Sequence, residues 1–444
     1  EETSPEDVHG MFASKAILTS RGGMTSHAAL VARGWGKCCI VGAKAIEINI
    51  KKRVCVINNI TYSELDWFTL NGSIGAIYNK LIKLEKPQLH NNKTFSQLML
   101  LCEKYNAVTI RTNADRKNDV AVAKKLGAKG IGLCRTEHMF FNPKRIHEVR
   151  KMIIADDLKL KNKSIAKLLS FQKNDFYKIL KAMSPFPVTI RLLDPPLHEF
   201  LPHNLKHIKQ IAKDLNLSIQ YIQQRIESVK ELNPMLGHRG CRLGITLPEL
   251  TIMQASAILE ASYKLHDEGI KACPEIMIPF ISTEKEFINQ RKLIDNVARK
   301  IEKKHNYKLP YLVGTMIELP RACFVADLIA KHADFLSFGT NDLTQTTFGF
   351  SRDDVGSFLP YYIKEKILTG DPFASIDRDG VGALIKLAVE KARKVNSKIK
   401  IGVCGEHGGD PSSIKFFNEL NFDYVSCSPF RVPIAYLAIA QNNC

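Results

Sequence analysis

The sequence predicts an α/β protein of two units: a small α/β unit over residues 1–83 and, beyond a linker at 84–95, a (β/α)8 TIM-type barrel with helical insertions over 96–444. Three observations predict it. A chain of 444 residues is too long for one small module and suits two domains. Short apolar runs alternate with Gly-rich turns in the first part, whereas eight apolar runs separated by helical stretches recur in the second. Those eight runs are mostly continuous rather than alternating, as strands buried on both faces are.

In the small unit, Ala16-Ile17-Leu18, Cys39-Ile40-Val41, Arg53-Val54-Cys55-Val56 and Gly75-Ala76-Ile77-Tyr78 read as strands. One helix interrupts them, from about Ser26 to Arg33, and ends at Gly34. The polar stretch from Lys83 to Lys93, with Pro87 inside it, suits a linker. The eight barrel strands are read at Val108–Arg111, Gly130–Cys134, Val188–Leu192, Glu275–Ile278, Tyr311–Met316, Asp334–Phe338, Lys400–Cys404 and Tyr424–Cys427. A doubly wound open sheet is the rival. No GxGxxG follows a strand, and the placement of reactive residues favours the barrel.

Composition excludes several classes. With 24% charged and 45% hydrophobic residues the chain is not disordered. No stretch approaches about 18 consecutive apolar residues, so no membrane partner is expected. The net charge of +18 invites nucleic acid, but the Lys clusters (Lys51-Lys52-Arg53, Lys159 to Lys163, Lys303-Lys304) sit among Asn and Ile, without interleaved aromatics. A solvated basic face is the better reading, attraction of anionic substrates is the second, and no nucleic-acid partner is expected. Eleven scattered cysteines without zinc-like spacing imply a reducing, cytoplasmic setting. The start at Glu1, with no Met and no signal-peptide pattern, is read as a segment of a longer polypeptide.

Reactive groups fall at the C-terminal ends of the barrel runs. Arg135 closes the second, Arg191 lies late in the third, Glu318 follows the fifth, Gly339-Thr340-Asn341-Asp342 follows the sixth and Cys404 ends the seventh. In a βα barrel these ends share one mouth. Two arginines can fork around a phosphate or carboxylate. Two carboxylates offer hard oxygen ligands for Mg²⁺. Successive amides in Gly339-Thr340-Asn341 can cradle a carboxylate, and a Cys beside cations can give or take a proton. The set suits a small substrate bearing both phosphate and carboxylate, with charge moving onto an enolate oxygen. For Cys404 alone, a buried structural thiol is the plain alternative. Arg21, His238 and Arg239 also lie near Gly-rich turns, with no role assigned. In the small unit, Arg21-Gly22-Gly23-Met24-Thr25-Ser26-His27 reads as a glycine turn entering a helix, where free amides favour an anion beside His27. The bland reading of Thr25 or Ser26 is a helix cap.

These segments resemble the pyruvate, phosphate dikinase family over the whole chain. Gly22-Gly23-Met24-Thr25-Ser26-His27-Ala28-Ala29 is similar to its phosphohistidine motif. Residues 132–140 (GLCRTEHMF), 191–200 (RLLDPPLHEF), 339–345 (GTNDLTQ) and 404–409 (CGEHGG) are similar to its phosphoenolpyruvate-domain motifs. Phosphoenolpyruvate synthase and enzyme I of the sugar phosphotransferase system share the plan, but both usually carry Arg where Met24 stands, and the LDPPLHEF run is a dikinase trait.

The resemblance implies a swivelling phosphohistidine domain followed by a barrel binding phosphoenolpyruvate and pyruvate. It implies that His27 carries phosphate, that Arg135 and Arg191 bind the substrate phosphate, and that Glu318 and Asp342 hold Mg²⁺ and also lie against substrate. Gly339, Thr340 and Asn341 would bind the substrate carboxylate and oxygens. Cys404 would protonate the enolate methylene. Thr25 matches a regulatory phosphosite of plant members. The family's N-terminal ATP-grasp domain is not in this sequence and is an implied partner, and a homodimer is expected. In the full enzyme ATP, phosphate and pyruvate become AMP, diphosphate and phosphoenolpyruvate. Two other readings compete: an enzyme I-like relay that passes phosphate to a carrier protein, and a barrel lyase that works without His27.

Overall fold

A computed structural model describes residues 1–3, 7–23, 26–34, 36–85, 92–155, 157–202 and 204–444, without the side chains of 8, 9, 27, 30, 33, 34, 143 and 144. Most of the expected linker core, residues 86–91, and the pair Met24-Thr25 lie outside the described residues.

In the first part, β1 (Ala16–Leu18) pairs in parallel with β2 (Cys38–Ile40). The crossover between them is the helix His27–Gly34. Strands β3 (Ile46–Asn49), β4 (Val54–Ile57) and β5 (Ile60–Ser63) form an antiparallel sheet, and β6 (Thr69–Asn71) pairs with β7 (Ala76–Tyr78). Sequence reading finds β1, β2, β4 and β7 but passes over β3, β5 and β6. The reason is visible in β5, where Ile60, Thr61 and Ser63 are exposed, so its residues carry little apolar signal. The core here is small: Met11, Ile17, Ala28 and Ala32, with Val31, Cys39 and Val41 against it.

The second part is a closed barrel of eight parallel strands. These are β8 (Thr109–Asn113), β9 (Ile131–Arg135), β10 (Pro187–Arg191), β11 (Cys273–Ile278), β12 (Leu312–Ile317), β13 (Phe335–Phe338), β14 (Lys400–Val403) and β15 (Tyr424–Cys427), with β15 returning to pair with β8. All eight expected runs become strands. Their continuous apolar character follows from geometry, because one face meets the helices and the other fills the barrel. Leu133, Met277, Met316, Phe335 and Cys404 pack together inside.

Helical insertions enlarge two crossovers. Pro143–Ile154 and Leu158–Met183 lie between β9 and β10, and Leu205–Leu215, Ile219–Ser228, Gly240–Thr246 and Pro248–Asp267 between β10 and β11. Helix Leu205–Leu215 shows why these stretches fold. Ile208, Ile211, Ala212 and Leu215 bury one face at helical spacing. Asn204 caps the start by accepting from the His207 amide, and Asn216 ends it in the left-handed region. Losing the Asn204 cap should cost about 1 kcal/mol.

Candidate active site

The barrel floor holds an ion cluster in which both oxygens of Glu275 are committed. Glu275 accepts from Arg111 Nη1 at 2.6 Å, Thr189 Oγ1 at 2.6 Å and Lys400 Nζ at 2.7 Å. Burial alone would raise this carboxyl, but Arg111 and Lys400 hold it down at about 2. The Arg111 guanidinium also lies over the Tyr424 ring.

The opposite end of the barrel is built differently. Arg191, the last residue of β10, donates from Nη2 to Glu137 Oε1 at 2.5 Å, and its Nη1 lies 2.9 Å from Asp194 Oδ2. Asp194 Oδ2 also accepts from Arg239 Nη2 at 2.6 Å. Arg239 Nη1 lies 3.6 Å from Asp342 Oδ1. Burial opposes the charge on both guanidiniums, but the surrounding carboxylates more than offset it and hold them ionised. Asp194, though buried, is held below the usual range by Arg191 and Arg239.

Phe280 joins the two sides of this wall. Its backbone sits in the left-handed region at φ 61, a costly place for a bulky residue. There its amide donates to Glu318 Oε1 at 2.7 Å while its ring carries the Arg239 guanidinium at 4.5 Å. Gly240 makes this close approach possible, since a Cβ there would stand 2.5 Å from Phe280 Cβ. Glu318 is fully buried and its Oε2 has no hydrogen-bond partner among the described residues. Burial, then Asp194 and Asp342, push its carboxyl well above the ordinary value.

Gly339 follows β13, where a Cβ would stand 2.6 Å from Met316 Sδ. Thr340, Asn341 and Asp342 open the helix Thr340–Phe348, with their amides in its first turn. Cys404 follows β14 and is 1% exposed. Burial lifts its thiol to about 11, against the pull of Ser337, Arg135 and Arg191. It is therefore a protonated thiol at neutral pH. Arg135 ends β9, where its amide donates to Asp115 Oδ1 at 2.6 Å, and Asp115 Oδ2 meets His138 Nδ1 at 2.7 Å.

Arg135, Arg191, Glu318, the 339–342 turn and Cys404 thus share one end of the barrel. Sequence reading assigned no role to Glu137, Asp194, Arg239, Phe280 and Glu199. Glu199 lies on the rim where solvent reaches it, yet the walls of the mouth surround its carboxyl. That crowding, with Glu137 and Asp194, raises it to about 7 against the pull of Arg239. Position was the available signal for three of the five: Glu137, Asp194 and Phe280 lie two or three residues past a strand end.

In the small unit the glycine turn is braced from behind. Thr19 Oγ1 donates to Arg21 O at 2.6 Å and the Gly42 amide to the same oxygen at 3.2 Å. A Cβ on Gly42 would stand 2.6 Å from Gly22 O. His27 opens its helix, its side chain outside the described residues, as is Thr25. Ser26 Oγ is buried with no partner among the described residues, so the expected Ser26 cap is not made.

A cavity of about 430 Å³ lies elsewhere, among Ile153, Lys161, Leu197, Arg225 and Leu250 of the helical insertions. At the mouth, Glu137 Oε2, Asp194 Oδ1 and Glu318 Oε2 are buried without a hydrogen-bond partner among the described residues.

The sequence comparisons agree with this geometry. The domain described as PEP-utilising enzyme, PEP-binding domain, matches residues 90–444. The chain belongs to the PEP-utilising enzyme family. The family's mobile domain matches residues 1–75. Among curated relatives, the chain is 52% identical over 444 residues to pyruvate, phosphate dikinase 1, chloroplastic, of Arabidopsis thaliana, covering 99% of this chain and 46% of that protein. It is 48% identical over 441 residues to pyruvate, phosphate dikinase of Clostridium symbiosum, covering 99% and 50%. The enzyme of the same name from Giardia intestinalis is 51% identical over 439 residues, covering 99% and 49%. The chain spans about half the length of these relatives. Among the described residues no helix is long and apolar enough to cross a membrane.

Proposed function

We propose that this chain is the phosphohistidine and pyruvate-handling part of a pyruvate, phosphate dikinase. It would interconvert phosphoenolpyruvate and pyruvate through a phosphoryl group on His27. The observation that carries the reading is the mouth itself: a protonated, buried Cys404 shares it with the fixed fork of Arg191 and the unpartnered oxygen of Glu318. In this reading residues 1–83 carry His27, residues 96–444 hold the substrate, and 84–95 let the carrier move between sites.

From phosphoenolpyruvate, a ring nitrogen of His27 attacks phosphorus while the P–O bond to the enolate breaks. The electron pair stays on the enolate oxygen. Arg135 and Arg191 hold the phosphoryl oxygens, and the fixed geometry of Arg191 means no reorganisation as charge spreads. The 339–341 amides and Asn341 hold the carboxylate. Cys404 then passes its thiol proton to the methylene carbon, giving pyruvate, and the reverse path returns that proton to sulfur.

Among the described residues no cluster of three metal-ligating side chains occurs. A Mg²⁺ held here by two carboxylates would take its other oxygens from substrate and water, which is how that ion usually binds. Glu318 and Asp342 fit it. An unpartnered carboxylate oxygen, pushed toward neutrality by burial and then by its neighbours Asp194 and Asp342, is what a divalent cation would relieve. Bound there, the ion would neutralise charge developing on the enolate oxygen. The relatives' extra length fits a nucleotide-binding ATP-grasp partner, and a cytoplasmic homodimer with Thr25 as a regulatory phosphosite completes the reading.

The test is exchange of labelled pyruvate into phosphoenolpyruvate with Mg²⁺. The chain should catalyse it, His27→Ala should not, and ATP with phosphate should not label the isolated chain. Cys404→Ala should bind phosphoenolpyruvate but lose exchange of the pyruvate methyl hydrogens with deuterated solvent. Exchange that survives loss of His27 would defeat the proposal.

A further inference from the structure

The segment after β14 holds a buried titratable side chain that the mechanism above does not use. His407 is fully buried and both ring nitrogens are engaged. Nε2 lies 2.8 Å from the carbonyl oxygen of Pro372, and Nδ1 lies 2.7 Å from Thr340 Oγ1. A carbonyl only accepts, so Nε2 carries the proton. Burial pushes the imidazole below its ordinary value, which favours the neutral ring. In a neutral ring protonated on Nε2, Nδ1 is an acceptor, and the Thr340 hydroxyl must donate to it. With no free nitrogen, His407 is not placed to exchange protons with a substrate.

That bond spans two parts of the mouth. Thr340, fully buried, begins the helix whose first amides form the anion cradle, and His407 is three residues from Cys404. A second bond runs alongside, from the Glu406 amide to Asn341 Oδ1 at 3.1 Å. It commits that oxygen and leaves the Asn341 NH₂ as the end that can donate to a ligand. Gly405 closes the joint, since a Cβ there would stand 2.0 Å from Thr340 Oγ1. The carbonyl of Pro372 anchors the ring from a third segment. Proton transfer to carbon needs the donor within about 3–3.5 Å of the reacting atom, and a misplacement of about 1 Å can cost about 10²-fold.

We propose that His407 is a positioning residue: through the Thr340 hydroxyl it sets the spacing between the Cys404 thiol and the cradle at Thr340–Asn341. The inference rests on the function proposed above. Its test compares Thr340→Val, Thr340→Ser, His407→Gln and the Thr340→Val/His407→Gln double variant in methyl-hydrogen exchange of pyruvate, with kcat and KM separated. Nitrogen-15 shifts of the His407 ring are read in the parent and in Thr340→Val. Thr340→Val and His407→Gln should each lower kcat by about 10- to 10²-fold with little change in KM. Thr340→Ser, which keeps the hydroxyl, should recover most of the loss. The double variant should be no slower than the slower single, because both remove one joint. The parent ring should show a protonated Nε2 and a hydrogen-bonded Nδ1 that shifts in Thr340→Val. Parent kcat in Thr340→Val, losses that multiply in the double variant, or a protonated Nδ1 would each overturn the inference. A parent chain that exchanges nothing while its ring shifts are as expected would overturn the proposed function, and the positioning role with it.

Discussion

Glu275 and Glu318 are the same residue type, both buried inside one barrel, and their carboxyls move in opposite directions. Glu275, on the floor, has every oxygen committed to Arg111, Thr189 and Lys400 and is held at about 2. Glu318, at the mouth, spends one oxygen on the Phe280 amide, leaves the other without a partner among the described residues, and is pushed well up by burial, Asp194 and Asp342. Burial opposes ionisation in both cases; neighbours decide the outcome. A finished cluster of this kind holds a barrel together. An unfinished one stores a demand for positive charge, and unspent capacity of that sort marks a place for ligands rather than for stability.

The largest effect should come from breaking the finished cluster. Glu275→Ala leaves Arg111 buried beneath its ring contact with no carboxylate, and breaking such a pair typically costs about 3–5 kcal/mol. Denaturant unfolding should show that loss. The pH dependence sharpens it. A carboxyl lowered from 4.5 to about 2 contributes stability that is present above 4.5 and lost as pH falls through about 2. The parent's acid limb in that window should flatten in Glu275→Gln. If Glu275→Ala unfolds like the parent, the floor is not the structural half of the comparison.

Next in size is the fork. Arg191→Ala removes a fixed donor pair and leaves Glu137 and Asp194 facing each other, so pyruvate exchange should fall by about 10²-fold or more. Arg135→Ala should show a comparable loss with less effect on folding, since among the described residues its structural bond is made by the backbone amide, which alanine keeps. Normal turnover in either variant would remove it from the site.

Glu318→Gln separates the two glutamates most directly. It keeps the shape and replaces an uncomfortable carboxyl with a neutral amide, so stability should stay within about 1 kcal/mol of the parent or rise. Exchange and its dependence on Mg²⁺ should both fall. A variant as active as the parent and as dependent on Mg²⁺ would place the ion elsewhere.

The same contrast explains what the sequence discloses. The eight strands are legible because both faces are buried, which writes a continuous apolar run into each one. Arg135, Arg191 and Cys404 are legible because they stand where those runs stop. Arg239 is not, because it belongs to a loop between insertion helices and reaches the mouth only through tertiary packing. Phe280 is hidden for another reason: nothing local tells a phenylalanine to take a left-handed backbone, and tertiary contacts, among them the Glu318 bond and the Arg239 stack, reward it. Glu137 sits two residues past Arg135 in a short turn, and its pairing with Arg191 crosses from one strand end to the next. In the small unit, β3 alternates apolar and polar residues over only four positions and β5 is mostly exposed, so neither run is long enough to stand out.

The smallest expected effect tests the rim. Glu199 sits where solvent enters, and its carboxyl is raised from 4.5 to about 7 by the crowding of the mouth, Glu137 and Asp194, with Arg239 opposing. The sign follows: protonated Glu199 is favoured in the folded chain, and that preference is fully present below 4.5 and lost as pH rises through about 7. Above that point a new negative charge stands beside the arginines that would draw in an anionic substrate. The KM for phosphoenolpyruvate should therefore rise with pH through the neutral range in the parent, and Glu199→Gln should remove the rise while leaving kcat near the parent's. Because solvent screens the group, the change should stay within about 10-fold, an interaction of about 1.4 kcal/mol at most. A parent KM that is flat between pH 6 and 8, roughly one unit either side of neutrality, would mean that Glu199 is already ionised and that the mouth's crowding stops short of its rim.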